Sequence, residues 1–525
     1  MAAAPEPAAA RELTLAEQSR MVDALQASLQ AGAAPVQRIE THVSFVLVAP
    51  DFAYKIKKAV APGFLDFSRL ALRRHFCAEE LRLNRRFAPS LYRDVVPITG
   101  TPEAPVLGGD GPPIDHAVRM RAFAQDGLWD RLAARGELTA AHVDALAGIL
   151  ERFHREAAVA APDSGYGGDT QLRGPVLDTL GALDALLIGP AEHERLQRLR
   201  AWESRSFAEL QPVYAERRRA GRVRECHGDL HLGNVAQVEG RTTLFDALEF
   251  DPALRWTDVT SEIAFIAMDL QVHGLAGLAQ RLVNAYLERS GDYGGMRVLR
   301  YGLVYRALVR AKVAALRAAA AAPYLDVARA TTAPPPPVLL ITHGPSGSGK
   351  TTLTQGLLEA AAAVRIRADV ERKRLSGLAA QARSGSTLGG GIYAPQASVA
   401  TYARLRELAV PVLAGGWHVI LDATFLRRAQ RDGARELAAA LGLRFVILDF
   451  DADVATLRER IVRRAARGGD ASEADPAVLE AQLRTAEPLD ADEQPLVVRC
   501  VASTQGDDGS PQMEGSALLA TLASR

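Results

Sequence analysis

The stretch His227-Gly-Asp-Leu-His-Leu-Gly-Asn234 sets a carboxylate, Asp229, and an amide, Asn234, on one short loop, and a second acid, Asp246, follows in Leu-Phe-Asp-Ala. A tight turn at Glu239-Gly240 makes 234–246 a hairpin, which brings Asn234 beside Asp246. Two oxygen ligands so placed can hold Mg²⁺ against the phosphates of ATP. Asp229 is then free to orient an attacking hydroxyl and accept its proton. His227 and His231 read as residues that shape the loop.

A different chemistry begins at Gly344. The run Gly344-Pro-Ser346-Gly347-Ser348-Gly349-Lys350-Thr351 is a complete P-loop, with Thr352 next to it. Backbone N–H groups of such a loop cup a β-phosphate at a helix N-terminus. Lys350 would reach the β- and γ-phosphates, and the Thr351 hydroxyl would bind Mg²⁺. Asp422 ends the apolar run Val419-Ile-Leu, a position suited to a Mg²⁺–water contact. Asp369, in Asp369-Val-Glu-Arg372, follows another strand and could receive an acceptor's proton, with Arg372 anchoring the acceptor. Asp369 also opens a helix, so an N-cap is the competing reading. Arg458, Arg460, Arg463, Arg464 and Arg467 crowd one helix that would carry a lid guanidinium; Arg464 is the candidate, although spacing does not separate it from its neighbours.

The elements that must position these residues are legible in outline. Residues 1–11 are rich in Ala and Pro and read as a disordered tail. Ser44–Val48 and Phe52–Ile56 read as a hairpin, 69–87 as a helix, and Val95–Thr99 and Ala117–Ala122 as strands. Residues 137–220 and 253–330 read as largely helical, with short strands at 222–226, 234–238 and 242–246 between them. The proline run in 331–337 reads as a stiff linker. Strands at 338–342, 364–368, 417–421 and 444–448 then alternate with helices, the pattern of a parallel sheet. The expected boundaries are 12–330 for the first domain, 338–503 for the second and 504–525 for a C-terminal tail.

Composition narrows the partners. Acidic and basic residues balance at 62 each, so bulk charge points to neither nucleic acid nor an anionic surface. No apolar run approaches the ~20 residues a spanning helix needs. No signal peptide is visible at the N-terminus, and Cys77, Cys226 and Cys500 lack metal spacing, so a cytoplasmic protein with reduced thiols is expected. Only six lysines occur, and all but Lys312 fall in or near a suspected site: Lys55, Lys57, Lys58, Lys350 and Lys373.

The loop pattern His-x-Asp-x-x-x-x-Asn at 227–234 resembles that of the aminoglycoside phosphotransferase and choline kinase group, over roughly 40–330. That resemblance implies an α+β bilobal protein-kinase-like fold, with Asp229 catalytic and Asn234 and Asp246 on metal. It also implies that Lys55 contacts the α- and β-phosphates, paired with a helix acid, Glu80 being the choice. Residues 118–122 would then form a hinge beside adenine. Lys57 lies on the same strand face and rivals Lys55. The chain departs from the group in one place: Thr41-His-Val-Ser stands where a glycine-rich loop is expected. The second half resembles P-loop kinases related to polynucleotide kinase, gluconate kinase and zeta toxin, an α/β P-loop fold. Asp-x-x-Arg, Leu-Asp-Ala-Thr and the Arg-rich lid carry that match. The whole resembles bacterial proteins described as bifunctional aminoglycoside phosphotransferase/ATP-binding proteins.

The expectation is a two-site Mg²⁺- and ATP-dependent phosphotransferase acting on a small hydroxylated substrate, with no membrane or nucleic-acid partner. A regulatory module, in which one nucleotide site controls the other, is the alternative. End phosphorylation of nucleic acid is a third reading, disfavoured by neutral charge and few aromatic residues.

Overall fold

The computed structural model describes residues 12–30, 35–63, 65–386, 390–467, 471–500, 504–505 and 511–512. The tail expected over residues 1–11 lies outside them. Two compact units emerge. The first comprises Met1–Leu138, Phe153–Tyr166 and Gly221–Asp258; the second comprises Thr139–Arg152, Gly167–Ala220 and Val259–Arg525. Among the described residues no helix is long and apolar enough to cross a membrane.

The first unit is built on an antiparallel sheet of strands β1 (Gln37–Glu40), β2 (Ser44–Val48), β3 (Phe52–Lys57), β4 (Tyr92–Thr101), β5 (Ala104–Leu107) and β6 (Asp115–Arg121). Their order across the sheet is β1-β2-β3-β6-β4-β5. Side chains alternate between the faces of a strand. Ile56 therefore turns to one side, where Phe45, Leu47 and Ile98 pack on Met21, Val22 and Leu25 of helix Leu15–Gln30. Lys55 and Lys57 turn to the other side, toward helix Leu70–Asn84. Beyond the sheet, β7 (Val223–Glu225), β8 (Val235–Val238), β9 (Arg241–Leu244) and β10 (Trp256–Asp258) form two small antiparallel pairs, β7 with β10 and β8 with β9. The β8–β9 hairpin turns on Glu239 and Gly240, both with positive φ, as a two-residue hairpin loop requires.

In the second unit, helices Val259–Val272, Ala276–Ser290, Met296–Leu316 and Ala322–Thr332 precede a five-stranded parallel sheet. The last helix runs through Thr332, two residues into the stretch read as a linker. The sheet contains β11 (Val338–His343), β12 (Val364–Arg367), β13 (Val419–Asp422), β14 (Arg444–Phe450) and β15 (Val497–Cys500). Its order is β12-β13-β11-β14-β15. The chain leaves β11 for β12 on one side and leaves the adjacent β13 for β14 on the other, which opens a crevice at the carboxyl ends of these two strands. Leu353, Leu357 and Leu358 of helix Lys350–Ala361 pack on Leu340, Ile420 and Val446 beneath that crevice. Trp417 and His418, expected inside a strand, precede β13, which starts at Val419. Within the expected C-terminal tail, β16 (Thr504–Gln505) pairs with β17 (Pro511–Gln512).

Candidate functional sites

In the first unit, one buried carboxylate organises the site. Lys55 Nζ lies 2.9 Å from Glu80 Oε1, and Lys57 Nζ lies 2.7 Å from Glu80 Oε2. Lys57 also pairs with Glu249, while Lys55 reaches Asp246. Burial alone would neutralise all of these groups. It raises Glu249, but the two lysines overcome it at Glu80 and hold that carboxyl well below the usual range. Burial likewise opposes the charge on Lys55, yet Asp246 and Glu80 keep it firmly protonated. The two lysines thus differ in their surroundings. Lys57 has no exposed surface, whereas the Lys55 side chain keeps 13% and points to the acid expected on metal.

The local fold brings the loop residues together. Phe245 N donates to Asn234 O at 3.1 Å, one step beyond the Val235–Leu244 pairing of β8 and β9, so Asn234 and Asp246 flank one hairpin end. Asp246 adopts φ 61°, a left-handed conformation uncommon outside glycine. That backbone is tied down by Tyr92, whose hydroxyl accepts from Asp246 N at 3.1 Å, and by Asn84, whose Oδ1 accepts from Ala247 N at 2.9 Å. Asn234 Nδ2 donates to Asp229 O at 2.9 Å and lies 3.3 Å from Asp229 Oδ2. His227 contacts Phe245 O at 2.9 Å through Nε2, a loop-shaping bond. Where a glycine-rich loop was expected, Thr41 closes a short turn between β1 and β2, its hydroxyl accepting from Ser44 N at 3.0 Å. Glu249 and Tyr92 carry no spacing signal in the sequence. Only the chain path makes them part of this cluster.

In the second unit, the P-loop joins β11 to helix Lys350–Ala361. Gly344 and Gly347 have φ of 138° and 87°, and a Cβ on Gly344 would meet Phe450 O at 2.3 Å. Only glycine fits there. Lys350 Nζ folds back on Gly344 O at 2.9 Å and Pro345 O at 2.6 Å. Burial lowers its pKa to about 8, with Asp422 and Asp369 opposing the fall. Thr351 Oγ1 donates to Asp422 Oδ2 at 2.7 Å. Asp369 lies one turn from Arg372, whose Nη1 is 3.1 Å from Asp369 Oδ1 and whose guanidinium sits 5.0 Å from the Tyr393 ring centroid. The cap position of helix Ala368–Leu375 is held by Arg367, so Asp369 is its second residue and the N-cap reading is corrected.

These groups line one cavity of about 1170 Å³, which Thr352, Arg460, Arg463 and Arg464 also border. Arg464 Nη2 donates to Ala474 O at 3.1 Å. Arg458 instead pairs with Glu480, and the Arg467 side chain lies outside what is described. Gln482 is a residue that motif reading missed: its Oε1 accepts from Ser346 N at 2.8 Å, on a P-loop amide of the kind that receives phosphate oxygen.

Comparison with known proteins follows this geometry. The family model AAA_33, described as "AAA domain", matches residues 339–489. Among solved structures, a choline/ethanolamine kinase family protein from Mesorhizobium loti is similar at 14% identity and a TM-score of 0.38, covering 59% of this chain and 93% of its own. A gluconokinase from Sinorhizobium meliloti 1021 is similar at 21% identity and a TM-score of 0.25, covering 36% of this chain and 95% of its own. The residues matched by the AAA domain model contain the P-loop and strands β12, β13 and β14 of the parallel sheet. "Uncharacterized protein Rv2004c" of Mycobacterium tuberculosis is 30% identical over 467 residues, which span 84% of this chain and 89% of that protein. "Uncharacterized protein Mb2027c" of Mycobacterium bovis matches to the same extent. The chain belongs to the family of these mycobacterial proteins.

Proposed function

We propose that the chain is a phosphotransferase with two Mg²⁺·ATP sites, each passing the γ-phosphoryl group to a hydroxyl of a small molecule. The observation that carries this reading is the P-loop cavity. It gathers a phosphate cradle, the Thr351–Asp422 oxygen pair and the Asp369–Arg372 pair in a space of about 1170 Å³. That is above the usual ~300–1,000 Å³ of a single ligand pocket, which suits nucleotide and acceptor together.

Hard oxygen donors fit Mg²⁺ in both units. Thr351 and Asp422 would hold it in the second, Asn234 and Asp246 in the first. The ion, when bound, shields phosphate oxygens. Lys350 and Lys55 supply fixed positive charge to the phosphates. Arg464, at the cavity wall, meets the transferring group. Asp369 and Asp229 take the acceptor's proton while its oxygen bonds to the γ-phosphorus and the bond to the β–γ bridging oxygen breaks, releasing ADP.

The test is γ-phosphate transfer by the full chain against sugars, aminoglycosides, nucleosides and oligonucleotides, alongside Lys350→Ala and Asp229→Asn. Transfer lost in one variant for a given acceptor assigns that acceptor to that site. No transfer to any hydroxylated acceptor would overturn the reading. A second reading applies to the first unit alone: the short Thr41 turn in place of a glycine-rich loop favours nucleotide sensing there. It predicts ATP binding without transfer.

A further inference from the structure

The P-loop site has a partner outside the stretch that its motifs occupy. Arg365 and Arg367 alternate on β12 and so share a face. That face meets Glu288, on helix Ala276–Ser290. Arg365 Nη2 lies 3.2 Å from Glu288 Oε1, and Arg367 Nη1 lies 3.8 Å from Glu288 Oε2. Arg367 borders the nucleotide cavity, and Arg365 lies behind it, against the P-loop helix. Arg365 Nη1 donates to Thr351 O at 2.7 Å and its Nη2 to Gln355 Oε1 at 2.9 Å. Arg367 is the cross-strand partner of Asp422, with Nε 3.9 Å from Asp422 Oδ2. Thr351 Oγ1 closes the ring on the same Asp422 oxygen at 2.7 Å.

We propose that Glu288 is a positioning residue of the P-loop site, holding Arg365 under Thr351 and drawing Arg367 away from Asp422. The argument is one of charge. Arg367 stands within ion-pair range of two carboxylates, one of which is wanted at the metal. While Glu288 shares the guanidinium, Asp422 keeps electron density for a cation. Remove that charge, and Arg367 shifts its pairing to Asp422, competing with Mg²⁺ for the same oxygens. Arg365, with a side chain only 6% exposed, would at the same time lose a counter-charge and loosen its hold on the Thr351 carbonyl. The helix offering Glu288 is anchored to this sheet and to the P-loop helix by other bonds. Asn284 Oδ1 accepts from Arg365 N at 2.8 Å, and Arg281 Nη1 lies 3.0 Å from Glu359 Oε1. Loss of Glu288 is therefore separable from loss of the helix.

The inference rests on the proposed reading of Thr351 and Asp422 as Mg²⁺ ligands, and the test separates the two. The full chain carrying Asp246→Ala, which disables the other metal site, is the parent. ATP binding is measured by calorimetry across a Mg²⁺ titration, with thermal melts alongside. Glu288→Gln should raise the Mg²⁺ concentration for half-maximal binding roughly ten-fold, the scale of a lost outer-shell partner. Adding Arg367→Gln to it should return that value toward the parent, because the competitor is gone. Arg367→Gln alone should leave Mg²⁺ affinity equal or tighter, and this holds the proposal to account even if Glu288→Gln fails to fold. Arg281→Ala, which breaks a docking pair on the same helix, should leave the Mg²⁺ midpoint in place. If Asp422→Asn does not weaken the Mg²⁺ dependence, the ligand reading falls and this proposal with it. If Asp422→Asn weakens it but Glu288→Gln does not, the Glu288 role alone is overturned. It is also overturned if the double variant is worse than Glu288→Gln, if Arg367→Gln weakens Mg²⁺ binding, or if Arg281→Ala shifts the midpoint as far.

Discussion

Glu80 and Lys57 form an ion pair at 2.7 Å, and neither side chain has exposed surface. Lys57 has a second carboxylate partner in Glu249, so its ammonium neutralises two buried acids while Lys55 serves the open side of the cluster. Breaking a buried pair by removing one partner costs about 3–5 kcal/mol, because the remaining charge stays buried. Lys57→Ala is therefore expected to destabilise the first unit by that order. Lys55→Ala should lose less stability and more ATP affinity. Chemical denaturation and ATP titration of both variants check this. The division of roles fails if Lys57→Ala is well folded and only Lys55→Ala unfolds.

Sequence reading left Lys55 and Lys57 unresolved for a physical reason. Residues two apart on a strand share a face, so alternation cannot say which of them meets the open site. The answer depends on where Asp246 and Glu249 arrive, roughly 190 residues away in the chain. The P-loop, by contrast, was legible in full, because glycine torsions, the lysine and the hydroxyl are all local. The strands β11 and β14 were legible as apolar runs between helices, and β12 as an alternation of apolar residues with arginine. Strand β15, Val-Val-Arg-Cys, was missed because its burial comes from β14 beside it rather than from its own pattern. Asp369 read equally as a cap because a one-residue shift at a helix start is invisible to spacing, and Arg367 takes that position.

A second expectation concerns Lys350, whose burial lowers its pKa to about 8 from 10.5. The unfolded chain keeps this lysine protonated to higher pH than the fold does. Below pH 8 the ligand-free fold therefore carries the whole desolvation penalty, and the penalty fades as pH rises from about 8 to 10.5. Lys350→Met should abolish ATP binding in the second unit. It should also stabilise the ligand-free protein at pH 7 by roughly 1–3 kcal/mol, less what the lost loop hydrogen bonds contribute. The gain should shrink above pH 8. Melts across pH without nucleotide would read it. A stability difference from the parent that stays the same from pH 7 to pH 10 contradicts the buried charge.

For the first unit, Asp229→Asn should keep ATP affinity and cut transfer by orders of magnitude, since that carboxylate acts on the acceptor. Asp246→Ala should lose ATP affinity, because it removes both an oxygen donor and the partner of Lys55. Comparable losses of affinity in the two variants would merge the roles.

Asp369 provides a parallel case with a sharper control. As second residue of its helix it contributes to the helix dipole by about 0.3–1 kcal/mol. Asp369→Asn should thus melt within a few degrees of the parent, bind ATP, and lose phosphoryl transfer at the P-loop. Arg372 would lose the charge of its 3.1 Å partner, so a changed acceptor affinity should accompany the loss of turnover. Near-normal turnover would leave Asp369 only a structural role.

The last expectation concerns cutting the chain at the proline run. Its composition suggests a stiff spacer between separate domains, yet helices before it complete the sheet after it. Asn284 acts as a surrogate strand on the β12 edge: its Nδ2 donates to Ala363 O at 3.0 Å, and its Oδ1 accepts from Arg365 N at 2.8 Å. Gln280 Nε2 adds a second bond to Ala363 O at 2.8 Å. Further along, Arg300 donates to Gly415 O at 2.9 Å and Gly416 O at 2.7 Å, and its guanidinium sits 4.0 Å from the Trp417 ring. The Trp417 indole N–H donates in turn to Met296 O at 3.1 Å. A fragment beginning at residue 333 would expose Trp417, leave the β12 edge open for association with other chains, and strip Arg365 of Glu288. Each buried polar group deprived of its partner costs about 1–3 kcal/mol, which is a large share of the ~5–15 kcal/mol that holds a typical domain. The 333–525 fragment should accordingly melt far below the full chain, aggregate more readily, and bind ATP weakly. A fragment beginning at residue 259 keeps these helices but lacks residues 139–152 and 167–220 of the same unit, so it should bind ATP better than 333–525 while still melting below the full chain. Asn284→Ala in the full chain isolates the edge contribution, with an expected loss of about 1–3 kcal/mol. If the 333–525 fragment melted and bound ATP like the full chain, the helices would be dispensable to the P-loop fold, and Glu288 with them.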